Sequence, residues 1–203
     1  MAESPADRAP PRPVNFVRRV PAGDDRLRLV CADCGFIDYQ NPRIVVGSVC
    51  ASAGRILMCR RAINPRQGYW TLPAGFLEAH ETATDGAVRE AWEEARARIA
   101  IEHLLAVYDV PRISQVQLIY RARLLSEDVS PGPESQEVRL FGWDEIPWED
   151  LAFPSVAWAV GHYREAVETG NGAARTNPPG QTGDFELSPD GRIRWPGSGI
   201  PPI

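Results

Sequence analysis

The sequence predicts an α/β protein in which a mixed β-sheet is packed between helices as an α/β/α sandwich. Short apolar runs rich in β-branched residues are typical of strands, and two segments, 82–97 and 154–168, have helical spacing. Strands around one central helix, followed by a second helix, imply this layered architecture. At 203 residues the chain is long enough to bury a full core.

The elements follow one another in a clear order. The predicted strands are 44–51, 56–60, 70–72, 104–110, 115–125 and 138–143. The first two are joined by a turn at Ala53-Gly54, and the third is ended by Pro73. The helix at 82–97 has an alanine on nearly every turn of one side, which permits close approach to a sheet.

The flanking segments differ in composition from this α/β domain, which we place at 43–169. Residues 1–25 are rich in Pro, Arg and Asp and are predicted to be disordered. Residues 26–42 form a small module around the pair Cys31 and Cys34. Residues 170–203 are dense in Gly and Pro without periodicity and are predicted to be a flexible tail.

Composition narrows the classes of partner. The formal net charge of −5 predicts no general attraction to nucleic acid. No stretch approaches the roughly 18 apolar residues of a membrane span, so no membrane partner is expected. The first 13 residues lack the apolar core of a signal peptide, which favours a cytoplasmic protein.

A cluster of acidic residues with fixed spacing lies in the predicted central helix. Glu90, Glu93 and Glu94 fall at i, i+3 and i+4, which is one helix face. Like charges on adjacent turns destabilise a helix unless a cation lies among them, and carboxylate oxygens suit Mg²⁺. A glycine, a glutamate and an arginine accompany them at fixed offsets: Gly75, Glu81 and Arg89. A solvated charged face would not explain these offsets.

This arrangement resembles the Nudix box, and the chain is identified as similar to the Nudix hydrolases. The resemblance implies that Glu90 and Glu94 hold Mg²⁺, for which Mn²⁺ can substitute, and that Glu93 helps directly or through water. It implies that the carbonyl group of Gly75 approaches the metal. It also implies that Arg89 and Glu81 pair to brace the loop against the helix, as a bidentate ion pair would.

In such enzymes, divalent metals orient a diphosphate and activate water, and a carboxylate acts as general base. The segment 132–138 contains two candidates, Glu134 and Glu137. We prefer Glu137 as base or additional ligand because it adjoins a predicted strand and would be better fixed. The alternative is an exposed loop acid.

One position departs from the family pattern. The box usually continues with a glycine two residues after its last glutamate, whereas this chain has Arg96 there. Loss of that glycine removes the usual left-handed helix cap. The helix is therefore expected to continue toward Ile99.

Further motifs resemble one subgroup, the zinc-ribbon-bearing Nudix hydrolases described as ADP-ribose and FAD pyrophosphatases. They lie at 31–35, 39–43, 68–76, 131–135 and 151–153. That subgroup normally has two Cys-x-x-Cys pairs, which provide four thiolates for zinc. Here only Cys31 and Cys34 are at ribbon spacing. The module at 26–42 is thus a degenerate zinc-ribbon-like one, and bound zinc is not expected.

Six residues are candidates for substrate binding. Trp70 and Phe76 present rings that would stack on a base, although aromatic residues beside strands more often belong to the core. Arg60 and Arg61 lie at a strand end and would bind the diphosphate. Ser114 and Gln115 follow the Pro111 turn and would contact ribose or phosphate. Surface solvation is the alternative for these polar residues.

The leading hypothesis is a Mg²⁺-dependent hydrolase of ADP-ribose or FAD, with a small-molecule nucleotide as its partner. An NADH or NAD-capped RNA pyrophosphatase is a second enzyme hypothesis, although a nucleic-acid partner is not expected from the charge. A nucleotide-sensing protein that no longer hydrolyses is a third. The resemblance also allows a homodimer.

Overall fold

The computed structural model describes residues 15–194, so the predictions for 1–14 and 195–203 lie outside the described residues. The chain divides into two compact units, one up to Asn41 and the other from Pro42 onward. Between residues 15 and 194, no helix is long and apolar enough to cross a membrane.

The structure contains twelve strands and two α-helices in this described range. The strands are β1 Phe16–Arg19, β2 Arg28–Cys31, β3 Ile37–Asp38, β4 Arg43–Ser52, β5 Arg55–Arg61, β6 Trp70–Thr71, β7 Ala74–Phe76, β8 Ile99–Val110, β9 Gln115–Leu124, β10 Ser135–Phe141, β11 Glu186–Leu187 and β12 Ile193–Arg194. The helices are α1 Ala83–Ala95 and α2 Pro154–Thr169.

The first unit is a three-stranded antiparallel sheet in the order β1-β2-β3. Strand β1 lies in the segment 1–25, where the sequence predicted disorder. Residues 16–19 are ordered because their backbone pairs with β2, from Phe16 opposite Cys31 to Arg19 opposite Arg28. The guanidinium of Arg28 donates to Asp24 at 2.9 Å and holds the connection between the two strands.

The second unit is built on a mixed sheet. Its strand order is β10-β5-β4-β9-β8, with β6 paired to β5 and β7 paired to β4. Strands β4 and β9 run parallel, whereas the other pairs are antiparallel. The predicted turn between β4 and β5 is present, and both Ala53 and Gly54 have positive φ there.

The two helices cover opposite faces of this sheet, because side chains alternate along a strand. Val49 and Met58 belong to the core cluster that contains the buried residues of α2. The adjacent residues Cys50 and Leu57 belong to the cluster that contains Ala91 of α1. The predicted α/β/α sandwich is thereby confirmed.

Helix α1 ends at Ala95 rather than continuing toward Ile99, so that expectation was wrong. Arg96 itself adopts the left-handed conformation, with φ 51°, that glycine usually provides. Its backbone N–H donates to the carbonyl of Trp92 at 2.9 Å, and that of Ala97 donates to Ala91 at 3.1 Å. This pattern is a Schellman end, which stops the helix even with a non-glycine residue at the cap.

The segment 170–194 is also more ordered than the predicted flexible tail. Strand β8 lies at the edge of the sheet, and Arg175 pairs with it in both directions: Arg175 N–H donates to Leu105 at 2.8 Å, and Val107 N–H donates to Arg175 at 2.9 Å. Further on, β11 and β12 form a hairpin. Backbone groups along an exposed strand edge are available for such pairing, which explains the order.

Candidate active site

The loop before α1 approaches the helix closely at Gly75. A Cβ atom at this position would lie 2.5 Å from Cδ and Oε2 of Glu90. A side chain at residue 75 would therefore force the Glu90 carboxylate out of its present position, whereas glycine leaves it in place. Glu90 is only 8% exposed, and burial raises its pKa despite the hydrogen bond from Arg89. The backbone of Gly75 and the carboxylate of Glu90 therefore lie close together.

Glu94 is the most buried acid of the cluster, at 5% exposure. Its Oε2 accepts a hydrogen bond from the Ala74 N–H at 3.0 Å. Burial raises its pKa to about 8 against the effect of this hydrogen bond; the charge of Glu90 raises it further and that of Arg61 lowers it. A buried carboxyl group with a strongly raised pKa is typical of a functional site.

Arg89 links several groups of the box. It donates to both carboxylate oxygens of Glu81, at 2.8 and 3.0 Å, and to the carbonyl of Phe76 at 3.0 Å. Its remaining terminal nitrogen donates to Glu90 at 2.7 Å and to Glu93 at 2.9 Å. The hydrogen bonds from Arg89 lower the pKa of Glu81 to about 2. The bidentate Arg89–Glu81 ion pair is thus present, and its bracing role stays a prediction.

Within residues 15–194, no group of three or more His, Cys, Asp or Glu side chains has the arrangement of a ready metal site. The side chain of Glu93 is 54% exposed and turns to Arg89. Glu90 and Glu94, in contrast, are buried on the side of α1 that faces the loop at 74–75. Two hard oxygen donors in a tight cradle suit Mg²⁺, which takes one or two carboxylates together with substrate phosphates.

The loop after β9 brings a further acid to this cluster. The Gly132 N–H donates to the carbonyl of Glu94 at 3.0 Å, and a Cβ at Gly132 would overlap the carbonyl oxygen of Glu93. Two residues later, the charge of Glu134 raises the pKa of both Glu90 and Glu94, after burial and the groups nearer to them. Glu134 therefore acts electrostatically on the buried carboxylates.

Glu137, the preferred base of the sequence analysis, lies instead in strand β10 beside β5. It is exposed and forms an ion pair with Arg60 at 3.8 Å. The pairing register shifts between Ser135 and Glu137, so this stretch contains a bulge. The extra residue changes which side chains face the helix, and a sequence pattern does not reveal it.

The two candidate arginines have different surroundings. The Nε–H of Arg61 donates to the carbonyl of Pro65 at 2.8 Å, and burial lowers the pKa of its guanidinium while Glu94 and Glu134 raise it. Arg60 donates to the carbonyl of Gly68 at 2.9 Å on the exposed side. Of these two arginines, Arg61 is therefore the one whose charge acts on the buried Glu94.

Of the two candidate aromatic residues, only Phe76 presents an exposed ring. Trp70 is buried in the core, with its ring centroid 4.8 Å from that of Phe141, so the prediction that it stacks on a base is not supported. Phe76 is 44% exposed, and the guanidinium of Arg43 lies 5.1 Å from its ring centroid. Sequence reasoning missed Arg43 as a neighbour of this ring.

Ser114 and Gln115 lie next to Arg43, because β9 starts beside β4. Gln115 is the parallel pairing partner of Arg43, and the Ser114 carbonyl accepts a hydrogen bond from the Arg43 N–H at 2.9 Å. These residues thus share one end of the sheet with Phe76, which pairs with Val45 on β4. The sequence predicted both strands but not their parallel pairing, so it carried no signal for this grouping.

Comparison with known proteins agrees with this geometry. The family model described as NUDIX domain matches residues 40–159, and the one described as Nudix N-terminal, a zinc-ribbon family, matches residues 13–40. The ADP-ribose pyrophosphatase of Methanocaldococcus jannaschii is 29% identical over 119 residues, which cover 57% of this chain and 69% of that protein. A MutT-like protein of Streptomyces ambofaciens is 36% identical over 102 residues, covering 50% of this chain and 64% of that one.

Among solved structures, a NUDIX hydrolase from Nitrosomonas europaea is similar over most of both chains. It is 46% identical, the TM-score is 0.76, and the match covers 80% of this chain and 93% of the other.

The N-terminal match counts against the expectation that no zinc is bound, but the thiols of this chain do not complete a zinc site. Cys31 is buried and Cys34 exposed within the first unit. The remaining cysteines, Cys50 and Cys59, are in the core of the second unit, where burial raises the pKa of the Cys50 thiol to about 12. Two thiols are fewer than the four ligands of structural zinc.

Proposed function

This chain belongs to the Nudix family and is a Nudix pyrophosphohydrolase; from that premise we propose that it uses Mg²⁺ to hydrolyse the diphosphate linkage of ADP-ribose or FAD. The expected products are AMP and ribose 5-phosphate from ADP-ribose, or AMP and FMN from FAD. ADP-ribose is favoured because a relative carries that activity in its name.

One observation carries the proposal: two carboxylates, Glu90 and Glu94, are buried side by side against a glycine loop with Arg61 close to them. Burial of two neighbouring carboxylates is unfavourable even though Arg89 donates to Glu90, and a divalent cation with substrate phosphates would offset that cost. Glu90 and Glu94, with the carbonyl of Gly75, are the groups that would hold it. Bound Mg²⁺ would supply the positive charge that neutralises the diphosphate.

The protein's own residues have separate tasks. Arg61 binds a phosphate oxygen, and its hydrogen bond to the Pro65 carbonyl keeps the guanidinium directed toward the acids. Arg89 and Glu81 hold the Gly75 loop against α1, while Glu93 shares Arg89 at the exposed end of the cluster. Phe76, Gln115 and Ser114 contact the nucleoside part.

We assign the general base to Glu134 in preference to Glu137. Glu134 influences Glu90 and Glu94 electrostatically, whereas Glu137 is engaged by Arg60 on the exposed side of β10. A general base must lie within hydrogen-bond reach of the water it activates. Glu134 would accept the proton of the attacking water at the buried cluster.

A substrate panel tests the function. Purified protein is incubated with ADP-ribose, FAD, NADH and NAD-capped RNA, with and without Mg²⁺, and products are separated by chromatography. We expect cleavage of ADP-ribose or FAD that requires Mg²⁺ and is lost in Glu90→Gln. The exposed Glu168→Gln on α2 is the matched control and retains activity. Preferred cleavage of NADH or capped RNA would replace the substrate assignment. If the wild type cleaves none of the four compounds and Glu90→Gln leaves the nucleotide affinity unchanged, hydrolysis is refuted.

A further inference from the structure

The segment 170–194, called the strap below, lies beyond the family match, which ends at residue 159. It pairs with the edge strand β8 at Arg175 and then exchanges hydrogen bonds with the backbone of Asp109 through the Asn177 side chain, at 2.8 and 2.9 Å. Asp184 forms an ion pair with Arg112 at 2.8 Å. These contacts direct the strap along the second unit to the β11–β12 hairpin.

The tip of this hairpin contacts the loop 62–69 between β5 and β6. The guanidinium of Arg66 donates to the carbonyl of Gly191 at 2.5 Å and to that of Ala152 at 3.1 Å. The Cζ atom of Arg66 lies 3.6 Å from the centroid of the Tyr69 ring. Gly191 approaches the same ring so closely that a Cβ there would lie 2.7 Å from the Tyr69 hydroxyl oxygen.

A second set of contacts fixes the hairpin from its other side. Arg192 forms ion pairs with Glu149 at 2.8 Å and with Asp150 at 3.2 Å. Both acids directly precede Leu151 and Ala152, whose carbonyls accept hydrogen bonds from Arg66. The hairpin, the segment 149–152 and the loop 62–69 are thus connected through two arginines.

The loop 62–69 in turn orients the groups of the candidate active site. Its Pro65 and Gly68 carbonyls accept the hydrogen bonds of Arg61 and Arg60. Its first residue, Ala62, donates its N–H to the carbonyl of Glu134 at 2.8 Å. One loop therefore touches both the proposed phosphate-binding cation and the proposed base.

We propose that the strap is a positioning element for diphosphate binding: by holding Gly191 against Arg66 and Tyr69, it fixes the loop 62–69 and thereby the guanidinium of Arg61. The inference rests on the proposed function only in taking Arg61 as the phosphate-binding residue. Loops that orient a binding group need external support, since a small displacement of that group weakens its contact with the substrate.

The test uses two glycines of the strap that share a positive φ. Gly191→Ala introduces the clash with Tyr69, whereas the control Gly180→Ala meets nothing within 4 Å, and the φ values of 83° and 75° give both variants comparable backbone strain. In Gly191→Ala we expect faster amide exchange at Gly68 and Tyr69 and a KM raised roughly three- to tenfold with kcat nearly unchanged, the size of one weakened hydrogen bond to a charged group.

Gly180→Ala should match the wild type in both measurements. The double variant Gly191→Ala/Tyr69→Phe removes the hydroxyl that clashes and should restore both, which a general loss of stability would not do. Should Gly191→Ala fail to fold, Arg192→Ala loosens the hairpin without touching the loop and should shift exchange and KM in the same direction.

The possible outcomes separate the two proposals. Unchanged exchange of the loop 62–69 in folded Gly191→Ala overturns the strap, whatever the enzyme hydrolyses. Faster exchange with unchanged KM overturns its role in substrate binding. Absence of hydrolysis by the wild type refutes the proposed function, while the exchange measurement still decides whether the strap holds the loop.

Discussion

Replacement of Glu94 by glutamine should stabilise the metal-free protein while it abolishes hydrolysis. Burial raises the pKa of Glu94 to about 8, against an ordinary value of 4.5. Below pH 4.5 the carboxyl group is protonated in both the folded and the unfolded state. Between these two values the folded state keeps a proton that the unfolded state has released, so the free energy of unfolding decreases as pH rises.

The size of the effect follows from the same two pKa values. A pH of 7 lies ~2.5 units above the pKa of the unfolded carboxyl group and still below that of the folded one. At about 1.4 kcal/mol per unit, Glu94 therefore lowers the free energy of unfolding at pH 7 by roughly 3 kcal/mol relative to its value below pH 4.5. Because Glu94 is only 5% exposed, solvent screening does not reduce this value greatly. The glutamine oxygen can still accept the Ala74 N–H, so a gain of about 2–3 kcal/mol is expected at pH 7.

Urea unfolding followed by tryptophan fluorescence between pH 5 and 8.5 measures this gain. The difference between Glu94→Gln and the wild type should grow with pH, whereas the 54%-exposed Glu93 provides a control, Glu93→Gln, that should change the free energy of unfolding only slightly. Mg²⁺ should stabilise the wild type, more so at higher pH, but not Glu94→Gln. Parallel pH profiles for the wild type and Glu94→Gln would show that the pKa of Glu94 is not raised in the folded state, which would refute the reasoning.

Other substitutions give further expected outcomes. Arg96→Gly should raise the free energy of unfolding by about 0.5–1 kcal/mol without change in activity, since glycine adopts positive φ freely, and Arg96→Ala should give no such gain; thermal melts compare them. Gly132→Ala should destabilise by ~2 kcal/mol or more, because its Cβ would overlap a helix carbonyl, as chemical denaturation would show. Glu134→Gln should lower kcat by roughly 10²-fold and Glu137→Gln by less than about threefold, and the reverse order in steady-state kinetics would return the role of base to Glu137. Arg89→Lys should lower kcat/KM at least ~10-fold because lysine cannot reproduce the fork on Glu81, and equal activity would refute the bracing role.

Local rules explain which parts of the fold could be predicted. The turn at Ala53-Gly54, the strands on either side of it and the helix capped by Thr82 depend on near neighbours in sequence, and all are present. Arg96 shows where such rules fail: the missing glycine predicted a longer helix. In the structure, Ser130 and Gly132 donate to the carbonyls of Ala95 and Glu94, so a distant loop satisfies the helix end. That contact is invisible to helix propensity.

In the candidate site, too, some features follow from local sequence and others from contacts between distant residues. The grouping of Glu90 with Glu94 was predictable because helical periodicity alone places them on one face. The burial of Trp70, by contrast, follows from packing against Phe141, whose partner cannot be read from its neighbours. The ordered strap follows from the free edge of β8, which exists only once the strand order of the sheet is set.

The sequence by itself determined the family, the sandwich and the acidic face of α1, because these depend on periodicity and on residues at fixed spacing. Only the tertiary structure decided that Glu134 accompanies that face while Glu137 pairs with Arg60, since a bulge in β10 separates the two acids. It also decided that burial raises the pKa of Glu94, because loss of water around a side chain is a property of the assembled core.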